Sequence, residues 1–258
     1  MKDNVIMKVD NLYFGYGETH ILKNIKFELT EGKFTSLVGP NGSGKSTLVK
    51  LLCGIIKKEK GCVTYKNHDI DKISTLNRAK EITVIHQREK NEFPYSCIDT
   101  VIMGLHPHRN RFEAISDEQL YFVKSVMDKT DTLRLANKLT TQISGGELQR
   151  VILARALVQK PKLLLMDEAM SDMDVNAKIQ LTNVVLDLVK EEKLTVLAVN
   201  HDLNFAYRFS HEIIALNHGE IDSVGNPDSV MDEEFFKRVF KVKADIIKNK
   251  GFFIIDKI

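Results

Sequence analysis

Between a short apolar segment and a helix-like one, the chain carries the stretch Gly39-Pro40-Asn41-Gly42-Ser43-Gly44-Lys45-Ser46. It fits the pattern G-x-x-x-x-G-K-[ST]. Glycines let the backbone curl so that successive N–H groups point inward at phosphate oxygens. A helix that begins here adds its positive dipole end, Lys45 supplies a cation, and Ser46 offers a hydroxyl to Mg²⁺. With Phe34 to Val38 before it and Leu48 to Cys53 after it, the pattern predicts a phosphate-binding loop between a strand and a helix.

The composition is that of a folded chain with little net charge. Hydrophobic residues make up 43% of the 258 residues, which is enough for a sizeable core, and the length allows one large domain or two small ones. A net charge of +2 argues against nucleic acid as the main partner, since phosphate-backbone binding needs a dense basic patch. The three cysteines form no CxxC pair, so we expect reduced thiols and a cytosolic chain.

We expect no membrane-spanning segment in this sequence. No apolar stretch approaches the ~18–20 residues that a spanning helix needs. The first residues, MKDNVIMKVDNLYF, have no continuous apolar run of the kind found in a signal peptide. The chain is therefore expected to be soluble, and any work at a membrane would depend on a partner that holds it there.

The hydrophobic pattern changes twice along the chain. Residues 1–35 alternate apolar and polar positions, which predicts an antiparallel sheet, and from about residue 88 to 160 the apolar spacing becomes helical. Ser116 followed by Gln119 predicts a helix start within that stretch. Short apolar strands alternate with helices elsewhere, which predicts an α/β fold with a mostly parallel sheet and an inserted helical subdomain. The strand segments are Phe34 to Val38, Thr83 to Ile85, Leu163 to Met166, Thr195 to Val199, and a hairpin of Ile213 to Leu216 with Glu220 to Val224.

Two further motifs carry chemistry. Asp167 and Glu168 follow a buried strand, so they can present carboxylates to Mg²⁺ and to a water at the carboxyl edge of the sheet. By themselves they are equally typical of a solvated turn. Ser144-Gly145-Gly146 begins a helix and can bind an anion there, although on its own this pattern is more typical of a simple helix cap.

Ser144 to Glu147 resembles the signature motif of the ATP-binding cassette (ABC) ATPases, and the other motifs stand in that family's order over nearly the whole chain. The resemblance implies a P-loop (RecA-like) core with an N-terminal antiparallel β subdomain and an inserted all-helical signature subdomain. It also implies that residues 1–258 form a single ABC ATPase domain. Its catalytic core would be residues 1–87 and 161–258, and its helical subdomain about 88–160.

The resemblance further implies ATP and Mg²⁺ as cofactors and a role for each motif residue. Glu168 would be the catalytic base, with His201 and Gln87 contacting the γ-phosphate and the attacking water. Ser46, Gln87 and Asp167 would bind Mg²⁺. The nucleotide contacts would be Tyr16, Gly39, Pro40, Asn41, Gly42, Ser43, Gly44, Lys45, Ser46, Thr47, Ser144, Gly145, Gly146 and Asp174. Taken alone, Tyr16 is more typical of a core strand aromatic, and His201 is more typical of a surface histidine at a strand end.

Two segments resemble one branch of the family, the ATPases of bacterial importers for siderophores, haem and cobalamin. Thr100 to His108 is similar to that branch's "TV…MGRxPH" segment, with Leu105 where Arg is usual, and Asn200 to Ala206 is similar to its "HDLNxA". The chain also continues only briefly past residue 225, unlike the sugar importers with their long regulatory domain. The sequence departs from the family pattern at Ile143, Ala169, Met170, Asp172 and Met173, and these changes leave the phosphate chemistry intact.

The resemblance implies a homodimer in which the signature of one copy caps ATP on the phosphate loop of the other. It implies transmembrane permease subunits as partners, a substrate-binding protein as an indirect partner, no nucleic acid, and a peripheral position on the cytoplasmic face of the membrane. The apolar residues around 88–112 are core, a groove for the permease, or both. The alternatives are an importer ATPase for another small substrate such as a metal ion, or a soluble ABC ATPase outside transport.

Overall fold

The computed structural model describes residues 4–86, 93–110, 113–171, 173–247 and 251–257. It divides into two compact units, one formed by Met1–Ile73 with Thr195–Ile258 and the other by Ser74–Leu194. The predicted single domain with a helical subdomain at about 88–160 remains a prediction. No helix in the described ranges is both long enough and apolar enough to cross a bilayer.

The strands are β1 (Val5–Tyr16), β2 (Thr19–Thr30), β3 (Phe34–Val38), β4 (Lys60–Tyr65), β5 (His68–Asp69), β6 (Ile82–Ile85), β7 (Leu163–Asp167), β8 (Thr195–Val199), β9 (Glu212–Asn217), β10 (Glu220–Gly225), β11 (Val242–Ile247) and β12 (Gly251–Lys257). The helices are α1 (Lys45–Leu52), α2 (Thr75–Glu81), α3 (Cys97–Ile102), α4 (Asp117–Lys129), α5 (Gly145–Val158), α6 (Val175–Glu192), α7 (Leu203–Phe209), α8 (Pro227–Val230) and α9 (Glu233–Phe235). Short 3₁₀ turns lie at Ile70–Lys72, Met103–His108, Leu133–Leu135 and Thr140–Gln142, and a π turn lies at Phe236–Phe240.

In the first unit, β2, β1, β4 and β5 form an antiparallel sheet in that order. The alternation in the sequence produces it, because β1 and β2 pair with Val9 opposite Phe27 and Leu12 opposite Ile25, all four buried. This confirms the predicted antiparallel sheet in residues 1–35.

The same unit contains a second sheet, in which β10, β9, β3 and β8 are neighbours in that order. Strand β3 runs parallel to β8 and β9, with Leu37 opposite both Val199 and Ile214. Every residue of β3 and of β8 is buried, as expected for strands covered on both faces. The loops that leave β3 and β8 therefore emerge at the same edge of this sheet. The predicted β9–β10 hairpin is also confirmed.

The C-terminal part of the first unit is an element that the sequence reasoning did not anticipate. Strands β11 and β12 pair as an antiparallel hairpin, with Ala244 opposite Ile254. An apolar cluster joins this hairpin to β3, α7, β9 and the segment from α8 onward. Its buried members are Val38, Ala206, Tyr207, Ile213, Ala215, Val230, Met231, Phe235, Phe236, Val239, Ala244 and Phe252.

In the second unit, β6 and β7 pair in parallel, with Ile85 opposite Met166. Between them the described residues form helices and turns, joined by a single isolated β-bridge from Ser96 to Leu139. The predicted start at Ser116 is confirmed by a capping box with Gln119 at the beginning of α4. Parallel strands with helices between them, an antiparallel N-terminal sheet and a helical insertion confirm the predicted α/β fold class.

Candidate functional site

The loop after β3 has the backbone geometry that its glycines predict. Gly42 and Gly44 have φ values of 79° and 104°, a region that side chains rarely adopt. A Cβ at Gly39 would lie 2.0 Å from the carbonyl oxygen of Leu216, which leaves room for no side chain. Gly44 stands at the N-cap of α1 and has no side chain with which to cap that helix. A helix start without a side-chain cap suits an anion, because the backbone N–H groups and the positive end of the helix dipole face it.

Lys45 is the buried cation of this loop. Its side chain is only 5% exposed, and Nζ donates to the carbonyl oxygens of Gly39 and Pro40, both at 2.9 Å. The ammonium is thus held at the centre of the loop by two oxygens that a phosphate can replace. Beside it, Ser43 Oγ is buried without a hydrogen-bond partner in the described part of the chain. Of the other loop residues, Asn41 and Gly42 are exposed, and Pro40, Ser46 and Thr47 are half-buried.

His201 lies at the same sheet edge as this loop, since it follows β8, the parallel neighbour of β3. The side chain is exposed. Asn200, the residue before it, donates from its backbone N to Leu37 O at 3.2 Å and from Nδ2 to Ser36 Oγ at 2.7 Å. The structure therefore brings His201 and the loop to adjacent strand ends.

Tyr16 ends β1 and is 54% exposed, so it is not a core aromatic. Its ring packs edge-on against Phe14, with ring centroids 4.9 Å apart. An exposed aromatic face that is braced from one side suits stacking on a base. The adenine contact of Tyr16 remains a prediction.

In the second unit, Asp167 ends β7 and is only 5% exposed, so it is not part of a solvated turn. Glu168 follows with a backbone φ of 56°, a left-handed conformation that is uncommon for residues other than glycine. Such backbone strain concentrates at functional sites. Gln87, predicted to follow β6, lies outside the described residues.

Ser144 and Glu147 form a reciprocal cap at the start of α5. Ser144 Oγ accepts from Glu147 N at 3.3 Å, and Glu147 Oε2 accepts from Ser144 N at 3.0 Å. The backbone N–H of Ser144 and then the Arg134 guanidinium, which donates to Glu147 Oε1 at 2.9 Å, hold the pKa of Glu147 below its usual range, against the opposing effect of desolvation. The helix-cap interpretation of this motif is therefore confirmed.

The glycines of that motif are not required by packing within the described residues. A Cβ on Gly145 or Gly146 would meet nothing within 4 Å. Gly145 is exposed and Gly146 half-exposed, so together they leave a smooth backbone surface at a helix start. This surface is free to approach a ligand or another chain, which goes beyond what a cap needs.

Asp174 is the N-cap of α6, where Oδ1 accepts from Ala177 N at 2.9 Å. The structure thus shows a capping role for this residue, and its predicted contact with nucleotide remains a prediction. Among its neighbours, Ala169 and Met170 are buried, and Asp172 lies outside the described residues.

The family model of the ABC transporters matches residues 22–171. The chain belongs to the ABC transporter family, as an ATP-binding cassette. It is 34% identical to the iron(3+)-hydroxamate import ATP-binding protein FhuC of Bacillus subtilis, over 93% of this chain and 90% of that protein.

Solved ABC structures show the same fold. One, of an inward-facing transporter assigned to the metal-chelate type, superposes with a TM-score of 0.83 at 25% identity and covers 98% of both chains. Another, the ATP-binding cassette MJ0796, is described as a dimer bound to ADP and Pi. It superposes with a TM-score of 0.76 at 29% identity and covers 86% of this chain and 98% of its own.

This ABC transporter ATPase contains donor types that suit ATP and Mg²⁺. The loop offers N–H groups and an ammonium, which suit phosphate oxygens. The Ser46 hydroxyl and the Asp167 carboxylate are the hard oxygen ligands that Mg²⁺ prefers. The residues therefore fit ATP and Mg²⁺ by the chemistry of the donor set.

Sequence reasoning missed the polar residues that support the cassette. Ser36 lies fully buried within the apolar strand β3, and its hydroxyl contacts Asn200 and Ser210. The available signal was a serine inside a strand otherwise suited to burial on both faces, because a buried hydroxyl requires a partner. The sequence does not reveal which partner that is.

Proposed function

We propose that this ABC transporter ATPase powers the import of an iron complex, such as a siderophore or haem, or of cobalamin, through a partner permease. The similarity to the Bacillus subtilis iron(3+)-hydroxamate import protein, extending over nine-tenths of both chains, carries this proposal. The segments Thr100 to His108 and Asn200 to Ala206, which resemble the same branch, support it.

In the proposed cycle, Lys45 exchanges its two loop carbonyls for the β- and γ-phosphate oxygens of ATP. Ser46, Asp167 and Gln87 would hold Mg²⁺, which neutralises phosphate charge when bound. Glu168 accepts a proton from the attacking water, and His201 contacts the γ-phosphate. Tyr16 stacks on the adenine.

We propose that two copies act together as a head-to-tail homodimer with two ATP molecules. The open surface of Gly145 and Gly146, with Ser144, would cap the phosphates bound by the other copy, and Asp174 would take part in this contact. That MJ0796 is described as a dimer supports this arrangement. Closure would then assemble the site, and hydrolysis would reopen it.

We propose a peripheral position on the cytoplasmic face of the membrane, held by the permease, with a substrate-binding protein delivering the cargo. The apolar residues around 88–112 divide between core and surface. Cys97 and Val101 are buried, whereas Phe93, Tyr95 and Met103 are exposed. The exposed three form a candidate surface for the permease.

Co-purification from the native host tests this proposal. A tagged chain should retain a polytopic permease after gentle solubilisation, and that permease's binding protein should bind an iron complex or cobalamin. Phe93→Asp should weaken retention, whereas Tyr121→Asp, which changes an even more exposed aromatic on α4, should leave it intact. Capture of ribosomal or purely soluble partners in place of a permease would overturn the transport role and leave the ATPase.

A further inference from the structure

The segment from Asn200 to Ser210, which carries His201 and α7, is tied at both ends to one buried hydroxyl. Ser36 Oγ accepts from Asn200 Nδ2 at 2.7 Å and lies 2.6 Å from Ser210 Oγ. Asn200 N also donates to Leu37 O at 3.2 Å. Since Ser36 is fully buried on β3, the two ends of the segment are anchored in the strand that leads into the phosphate loop.

The middle of the segment is held by Asn204. Its Oδ1 accepts from Phe252 N at 2.9 Å, and its Nδ2 donates to Phe252 O at 3.2 Å. One amide side chain thus satisfies both backbone groups of a single β12 residue, as a neighbouring strand would. Asn204 lies in the first turn of α7, three residues after His201.

Phe252 is itself a fixed anchor. Its buried ring lies 4.2 Å, centroid to centroid, from the ring of Phe236, which is also buried. Both belong to the apolar cluster that contains Ala206 of α7 and Val38, the last residue of β3. The β11–β12 hairpin therefore cannot release Asn204 without disturbing packed core residues.

We propose that Asn204 is a positioning residue, which clamps α7 to the C-terminal hairpin and so holds His201 at the edge of the phosphate loop. The inference rests on the proposed contact of His201 with the γ-phosphate. Helix α7 has only seven residues, which is too few to be stable without tertiary contacts. Without these two bonds the first turn of α7 would fray, and the His201 side chain would occupy several positions. ATP hydrolysis would then be slower, because it depends on the position of His201.

The test compares Asn204→Leu with Tyr207→Phe. Leucine has the same number and branching of side-chain heavy atoms as asparagine but makes neither bond to Phe252. Tyr207→Phe removes the bond from the same helix to Asp228 and leaves the hairpin clamp intact. Asn204→Leu should lower kcat for ATP hydrolysis about tenfold and change KM for ATP less than about twofold, because the phosphate loop is untouched. Tyr207→Phe should keep kcat. Asn204→Asp, which retains only the bond from Phe252 N, should fall between wild type and Asn204→Leu.

A double-mutant cycle with His201→Ala separates positioning from general destabilisation. If Asn204 acts through His201, then Asn204→Leu should cost almost nothing further in the His201→Ala chain. Equal losses in both backgrounds would overturn the proposal.

Hydrogen exchange supplies a readout that does not need turnover. In the nucleotide-free chain, residues 200–210 should exchange about tenfold faster in Asn204→Leu than in wild type. Unchanged exchange would overturn the clamp. If exchange is faster in Asn204→Leu but the His201→Ala chain keeps full ATPase activity, the clamp stands and the proposed role of His201 in hydrolysis is refuted.

Discussion

At the scale of single residues, the phosphate loop is organised around a buried charge. An ammonium that is 5% exposed would be costly without partners, and two carbonyl oxygens at 2.9 Å provide them. The loop therefore holds Lys45 in place before any nucleotide binds. In the proposed cycle little reorganisation is then needed at binding, because phosphate oxygens would replace the carbonyl oxygens.

Lys45→Ala should abolish ATP hydrolysis. We expect Mg-ATP hydrolysis to fall by about 100-fold or more, since the variant loses the cation that the phosphates meet in the transition state. Lys50→Ala, in the last turn of the same helix, serves as the matched control and should retain activity. Phosphate release and titration with a fluorescent ATP analogue measure both variants. Wild-type turnover in Lys45→Ala would refute the assignment of the loop.

At the scale of elements, the start of α5 is held by a serine cap and by an ion pair. Ser144 caps the helix, and Glu147 closes the box while accepting from Arg134. The start of α4 is a closely matched cap, but there Ser116 pairs with the uncharged Gln119. The two helices thus share a cap geometry and differ in charge.

The lowered pKa of Glu147 makes the α5 cap sensitive to acid. Glutamate titrates near pH 4.3 in an unfolded chain. Because folding lowers this pKa, the ionised carboxylate stabilises the fold above that pH, and its contribution is lost as the pH falls through the folded-state pKa. Glu147→Gln should therefore reduce the free energy of unfolding by about 0.5–1 kcal/mol at pH 7 and by less at pH 3.5.

Urea unfolding at the two pH values measures this difference. Ser116→Ala is the control. It removes a cap whose partner is uncharged, so the free energy of unfolding should fall by about 1 kcal/mol at both pH values. A Glu147→Gln effect that is equally large at pH 7 and at pH 3.5 would contradict the ionic contribution.

At the scale of the whole molecule, the site motifs are distributed over two compact units. The phosphate loop, Tyr16 and His201 belong to one unit, and Ser144, Asp167 and Glu168 belong to the other. In the proposed dimer each ATP site is also divided between two copies, since one copy supplies the phosphate loop and the other supplies Ser144, Gly145 and Gly146. Oligomeric state should therefore report on the nucleotide cycle.

Glu168→Gln should bind Mg-ATP without hydrolysing it and so accumulate as a closed dimer. Size-exclusion chromatography with light scattering should give twice the monomer mass in Mg-ATP. The Tm should also rise with protein concentration, because dimerisation stabilises the folded state by mass action. Lys45→Ala combined with Glu168→Gln should remain monomeric. A Glu168→Gln chain that is monomeric in saturating Mg-ATP would rule out the dimer scheme.

Local patterns in the sequence were enough for the phosphate loop, the main strands and the capped start of α4. Glycine at positive φ, a serine three residues before a glutamine, and alternating apolar positions each act within a few neighbouring residues. They can be recognised in the amino-acid sequence for that reason. The boundaries were less accurate, since α1 begins at Lys45 rather than Leu48.

The tertiary structure alone revealed the supports of the candidate site. Ser36 meets Asn200 across 164 positions of sequence, and Asn204 meets Phe252 across 48. It also separated the buried Val101 from the exposed Phe93 and gave Glu168 its left-handed backbone. These features depend on which distant segments pack together. Periodicity and spacing describe a residue's near neighbours only, so they predict that a buried polar group needs a partner but not which residue that partner is.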